Sequence, residues 1–180
     1  MEDPSLPQEL LAEINALTGE SFAGLDLLLR LNAAQAESFE RWATSTRWHR
    51  FHDEHYDWWS FPIDEPSLRF GPAFKLSDGD VANLLTEGEF TKRLDRSIEL
   101  VSASLGWNLA ETRLDENVEE MRRYDESEFG NHGMRLRKML LAATLFRRET
   151  ALRSLSSFAR VLRDAGRLEA PQFFAPFLAD

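Results

Sequence analysis

In F-T-K-R-L-D-R-S-I-E-L-V-S-A-S-L-G, residues 90–106, the apolar positions Phe90, Leu94, Ile98, Val101 and Leu105 recur at steps of three and four. That spacing lays one apolar stripe along an α-helix, and Gly106 stands where a left-handed C-cap closes it. Upstream, Ser77-Asp78-Gly79-Asp80 has the form of a capping box ahead of Val81, Leu84 and Leu85, with Gly88 ending that short helix. Downstream, Met134, Met139, Leu140, Ala143 and Phe146 predict a further helix that Asn131 can cap, with Arg147-Arg148-Glu149 interrupting or bending it. Ala151, Leu152, Leu155, Phe158, Ala159 and Leu162 then form another stripe, closed by Gly166. Asp115–Tyr124, carrying Val118 and Met121, reads as a short helix. Towards the N-terminus, Leu10, Leu11, Ile14 and Leu17 follow Pro7 at helical spacing. Residues 22–42 read as one long helix or two around an alanine-rich middle. No run alternates with period two long enough to predict a strand. The expected fold is all-α: one compact irregular bundle of about six to eight helices.

The chain's rare bulky residues gather in W-H-R-F-H-D-E-H-Y-D-W-W-S-F-P-I-D-E-P, residues 48–66, which holds three of the five tryptophans and three of the four histidines. Thr44-Ser45-Thr46 offers N-cap side chains. Trp48, Phe51 or His52, His55 and Trp59 then fall at helical steps, predicting one helix with an aromatic face that Pro62 stops. Trp58 and Trp59 differ by about 100° of rotation on a helix, so one of them must meet a second surface. Residues 64–75, with Pro66, Gly71 and Pro72, read as an ordered loop.

A chain of 180 residues suits one domain. The expected organisation is N-terminal helices over 1–43, a core over 45–165, and an apolar, proline-broken tail over 166–180 packed on the body. Cysteine is absent, which excludes disulfides and thiolate chemistry and suits a reducing compartment. The acidic start Met1-Glu2-Asp3-Pro4 is unlike a basic signal peptide, and no apolar run approaches a membrane span. A soluble, cytoplasmic protein without membrane contact is expected. The net charge of −10 repels nucleic acid on average. Its distribution is uneven: Asn131–Arg167 holds nine basic residues against Glu149 and Asp164. This segment reads as a face complementing the acidic remainder, or as an anion or nucleic-acid surface.

Three groups of residues bear on chemistry. His49, His52 and His55, interleaved with Asp53, Glu54 and Asp57, supply donors suited to zinc, iron or manganese. On one helix His52 and His55 occupy neighbouring turns, making His52, His55 and Asp53 the candidate metal ligands of a metal-dependent enzyme, with a further ligand needed from another element and His132 the only remaining histidine. The spacing is not that of a zinc protease, and the same residues read equally as a hydrogen-bonded histidine beside solvated acids. The aromatic cluster Tyr56, Trp58, Trp59 and Phe61, with Arg135 from the later cationic segment, forms the candidate binding set; such residues serve cores and interface hot spots alike. Glu119-Glu120, near Asp115 and Glu116, reads as a solvated helix face rather than an acid–base pair. Gly-rich phosphate loops and serine–histidine–acid patterns are absent from the sequence. No catalytic residue is assigned and no cofactor is expected beyond the metal alternative.

The aromatic stretch resembles the conserved region of the opioid growth factor receptor family. Tyr56, Trp59, Phe61 and Pro62 match its tyrosine, tryptophan and phenylalanine-proline, and Pro66-Ser67 comes after them. Met134-Arg135-Leu136-Arg137-Lys138-Met139-Leu140, preceded by Asn131-His132, is similar to its leucine-arginine-isoleucine segment, with the Phe90–Leu105 helix between the two. Glu54 stands where the family has histidine, Asp57-Trp58 where it has isoleucine-glutamine, and Ser60 where it has leucine. A closer likeness is to uncharacterised bacterial proteins with a D-W-W-x-F-P-I-D core, here Asp57–Asp64, and an E-L-V-x-x-S-x-G-W pattern, here Glu99–Trp107. The likeness spans residues 45–165. It implies an all-α domain without catalytic apparatus. Its animal members are described as peptide-binding, so the expected partner is a protein or peptide rather than nucleic acid.

Overall fold

Helix α2 (Leu25–Thr44) is a single 20-residue helix against which the aromatic segment and the helix over 88–104 pack. The computed structural model describes residues 6–116 and 132–179. The buried face of α2 runs Leu27, Leu28, Leu31, Asn32, Gln35, Ser38, Phe39 and Trp42, a stripe that continues through the alanine-rich middle. Small residues beside that stripe let neighbouring helices approach closely. Helix α1 (Gln8–Asn15) precedes it, burying Leu10 and Ile14.

The predicted aromatic helix is two single turns, α3 (Arg50–Asp53) and α4 (Asp57–Ser60), separated by an extended Glu54. Thr44 and Ser45 end α2 rather than cap α3: the Ser45 amide donates to the Arg41 carbonyl at 3.0 Å, and Thr46 sits at φ +56°. The loop over 61–77 is fastened at three places. The Leu76 amide donates to Ile63 at 2.9 Å, the Ser67 amide to Gly71 at 2.9 Å, and the Phe70 amide to Ser67 Oγ at 2.8 Å. Gly71 has φ +52°, and a Cβ there would lie 2.6 Å from the Gly19 carbonyl oxygen, so the loop needs glycine at this crossing.

Helix α5 (Asp78–Thr86) starts with the expected capping box, the Asp80 amide donating to Ser77 Oγ and the Ser77 amide to Asp80. Helix α6 (Gly88–Ser104) carries the apolar stripe over Phe90–Leu105, with Phe90, Leu94, Ile98 and Val101 fully buried against α2. Gly106, at φ +79°, turns the chain out of α6. An antiparallel ribbon of β1 (Trp107–Asn108) and β2 (Arg113–Leu114) comes next. Strands of two residues are too short for any alternation to reveal.

Helices α7 (His132–Leu145) and α8 (Glu149–Asp164) pack on each other, joined through Phe146–Arg148 with Arg147 at φ +56°. The expected break at Arg147-Arg148 is therefore present. The tail forms a 3-10 turn (Pro171–Phe174) and α9 (Ala175–Leu178) on α8, burying Phe174. The fold is all-α, with nine α-helices among the described residues. The excess over six to eight comes from the split aromatic helix and the single-turn tail. One hydrophobic cluster extends from Leu6 to Phe174. The expected helix over Asp115–Tyr124, the Glu119-Glu120 pair and the Asn131 cap fall outside the described residues, apart from Asp115 and Glu116.

Candidate functional site

Arg135 of α7 fixes the geometry of the aromatic segment. It is 2 % exposed, and its Nε donates to Asp57 Oδ1 at 3.0 Å. Its two terminal nitrogens donate to the backbone carbonyls of Phe51 and Glu54, and the guanidinium lies 4.4 Å from the Tyr56 ring centre. Those carbonyls stand at the break between α3 and α4, where no helical N–H is left to satisfy them. Tyr56 adds a bond from its hydroxyl to the Phe51 carbonyl at 2.8 Å. A five-donor planar group suits this multiple acceptor set as a lysine would not.

This arrangement separates the candidate binding residues. Tyr56, Trp59, Phe61 and Arg135 are core residues. Tyr56 and Phe51 pack on Phe39, with ring centres 4.6 Å and 5.1 Å away. Trp59 turns towards α2, its Nε1 donating to Gln35 and its carbonyl accepting from Asn32 Nδ2 at 3.0 Å. Trp58, one step round the turn, is only half-buried and faces outwards.

There it forms part of a groove of about 490 Å³. Ile63 and the loop residues Glu65–Arg69 line one side of it, Met134, Arg137 and Lys138 of α7 another, and Phe173 of the tail completes it. Leu68 is fully exposed, Phe173 is 53 % exposed and Met134 46 %. These are three of the six large apolar side chains exposed among the described residues, and all three line this one groove. Isolated exposed apolar residues need no explanation, whereas a converging set marks a binding surface.

Charges are placed unevenly around it. Arg137 is paired with Glu65 at 2.9 Å, and Asp57 with Arg135. Lys138 is 9 % exposed, lies 4.9 Å from the Trp58 ring centre, and has no ion-pair partner among the described residues. Burial pushes its ammonium down to about 8; Asp57 and Glu65 raise it from a distance, and Arg137 and Arg135 oppose them. Arg69, exposed, sits over both Trp58 and Phe70 and likewise makes no ion pair among the described residues.

The candidate metal ligands do not converge. Because the helix breaks at Glu54, His52 and His55 are not on neighbouring turns. His52 is buried beside the His132 ring at 4.8 Å, and its Nε2 donates to the Ser104 carbonyl at 3.1 Å. Burial, then His132 and Arg135, push it down to about 3, so the ring is neutral. Its Nδ1 has no partner among the described residues. His55 and Asp53 are exposed, His55 at the edge of the groove and His49 half-exposed. Among the described residues no group of three or more His, Asp or Glu side chains is placed to hold a metal ion.

The arginine-rich segment is not one open cationic face. Arg135 pairs with Asp57, Arg137 with Glu65 and Arg148 with Asp95, each an acid of the remainder of the chain, and Arg163 pairs with Asp164. An open depression of about 740 Å³ between α6 and the start of α8 is lined by Lys92, Asp95, Arg96, Glu99, Arg147 and Arg148. Its charges are largely satisfied: Arg148 holds Asp95, Arg96 holds Glu99 as well as Glu40 on α2, and Lys92 holds Glu89. No helix among the described residues is long and apolar enough to cross a membrane.

Lys138, Met134, Leu68, Arg69 and Phe173 were not among the candidates read from the sequence. A signal existed for Lys138 alone: with Arg135 it interrupts the apolar face of α7 at a spacing of three, beside Leu136, Met139 and Leu140. Cations in an apolar stripe need either an internal acid or an opening. Arg135 has the first and Lys138 has the second. Comparison with protein-family models, curated sequences and solved structures gives no match to this chain.

Proposed function

We propose that the protein is a non-catalytic binding domain that takes a peptide segment of a partner protein into the groove over Trp58. The observation that carries this reading is the convergence of exposed Leu68, Met134 and Phe173 on a half-buried tryptophan. A tryptophan with an apolar rim is the composition of an interface hot spot, and the groove's volume is within the range of ligand pockets. The likeness to the opioid growth factor receptor region, whose animal members are described as peptide-binding, points to the same class of partner, although the residues that carry it, Tyr56, Trp59, Phe61 and Pro62, are buried here and lie outside the groove. In this chain those four residues hold the corner and Trp58 meets the ligand. A composition without cysteine fits work in the cytoplasm.

Selection of a random peptide library on the wild-type protein tests this. Enriched peptides are expected to lose about tenfold or more in affinity for Leu68→Ser, since burying a leucine contributes about 1.5–3 kcal/mol. Enriched peptides that bind Leu68→Ser and Met134→Ser as well as wild type would overturn the assignment.

A further inference from the structure

The groove is apolar in shape but not neutral. The chain carries 31 acidic residues against 21 basic ones, so a buried cation without an acidic partner stands out. At this groove the two local carboxylates are already committed, Asp57 to Arg135 and Glu65 to Arg137. Lys138 and Arg69 are left over, both against the face of Trp58, at 4.9 Å and 5.7 Å from its ring centre. Lys138 is nine-tenths buried against the Trp58 ring. It lines the groove and has no ion-pair partner among the described residues. Desolvating an ammonium without an acceptor is unfavourable, and an arriving carboxylate relieves that penalty.

Resting on the peptide-binding reading, we propose that the occupant is an acidic peptide segment, in which a glutamate or aspartate side chain pairs with Lys138 while flanking apolar side chains lie on Trp58 and between Leu68, Met134 and Phe173. Arg69, over the same indole from the loop side, adds a second positive charge to the groove. Burial that holds Lys138 near 8 agrees with this, since the group is still charged at neutral pH and still short of a counter-charge. The groups facing Lys138 are Asp57 on α4, Glu65 on the loop, and Arg135 and Arg137 on its own helix, with Arg69 also placed over the Trp58 ring. A side-chain carboxylate fits better than a chain terminus, which proteins commonly hold with an array of backbone N–H groups rather than with side chains on flexible stems. A polyanion fits worse still: two leftover cations do not offset a net charge of −10.

The test starts from the peptides enriched by selection on wild type, each synthesised with neutral caps alongside a copy in which glutamate or aspartate becomes glutamine or asparagine. Binding is followed by fluorescence anisotropy to wild type, Lys138→Met, Lys138→Arg and Leu68→Ser, each checked for folding by thermal unfolding. The expected result is enrichment of an acid beside apolar residues. The acidic peptide then binds wild type about tenfold tighter than its amide copy, the worth of one charge-assisted hydrogen bond. That preference is lost in Lys138→Met, partly kept in Lys138→Arg, and declines above pH 8. Enriched peptides without acids that still depend on Leu68 would overturn the acidic-ligand proposal and leave the groove reading standing. Enriched peptides indifferent to Leu68 would overturn both.

Discussion

Two basic residues three positions apart on α7 have opposite fates. Arg135 is a buried cation with a buried acid, two carbonyls and an aromatic face around it. Exposed pairs such as Arg96–Glu40 contribute about 0–1 kcal/mol. Breaking a buried pair by removing one partner costs about 3–5 kcal/mol, because the other charge is left uncompensated. Arg135→Ala is therefore expected to lower stability by about that amount in urea unfolding, with Asp57 and two carbonyls stranded. Lys138 behaves in the reverse sense. Below pH 8 folded and unfolded chains both carry its proton; between pH 8 and its ordinary value of 10.5 only the unfolded chain keeps it. Stability thus rises with pH through that window, by a total on the order of 3 kcal/mol. Lys138→Met is expected to be more stable than wild type at pH 7, with the difference narrowing towards pH 10. His52 works at the acid end. Its folded value near 3 lies below the ordinary 6.5, so its share of stability is present above 6.5 and lost as pH falls towards 3. The slope is about 1.4 kcal/mol per pH unit between those limits. A His52→Gln variant followed by urea unfolding from pH 7 to pH 4 should lack that share.

At the scale of elements, α6 and α8 were legible because each carries an uninterrupted apolar stripe that packs as its period demands. The aromatic helix was not legible as two pieces. What breaks it at Glu54 is a guanidinium more than seventy residues away in sequence, which supplies donors to the Phe51 and Glu54 carbonyls. Local periodicity carries no record of such a partner. The same gap hid the groove: Leu68 and Phe173 look unremarkable in a proline-rich loop and a tail until folding places them beside Trp58. Trp58 and Trp59 were readable as far as their divergence, since adjacent positions on a turn cannot share a face. The loop that carries Leu68 and Arg69 depends on Gly71. Gly71→Ala combines a left-handed backbone with a Cβ 2.6 Å from the Gly19 oxygen. A loss of about 1–3 kcal/mol in chemical unfolding is expected, with peptide affinity falling as the groove wall shifts.

Across the whole molecule, the cationic C-terminal third and the acidic remainder meet through ion pairs at Asp57, Glu65 and Asp95. Those pairs tie up three of the nine cations that suggested an anion surface in the sequence, and Lys138 and Arg69 stand beside the apolar groove that Leu68, Met134 and Phe173 share. The aromatic segment accordingly has two roles on two sides: Tyr56, Trp59 and Phe61 close the core, and Trp58 faces out. The most direct measurement of that division is NMR of the labelled protein titrated with a selected acidic peptide. The expected result is shifts confined to the Trp58 indole, the Leu68 and Met134 methyl groups, the Phe173 ring and the Lys138 side chain, with Tyr56, Trp59 and Phe61 unmoved. Shifts centred instead on Lys92, Asp95 and Arg147, with Trp58 silent, would contradict it.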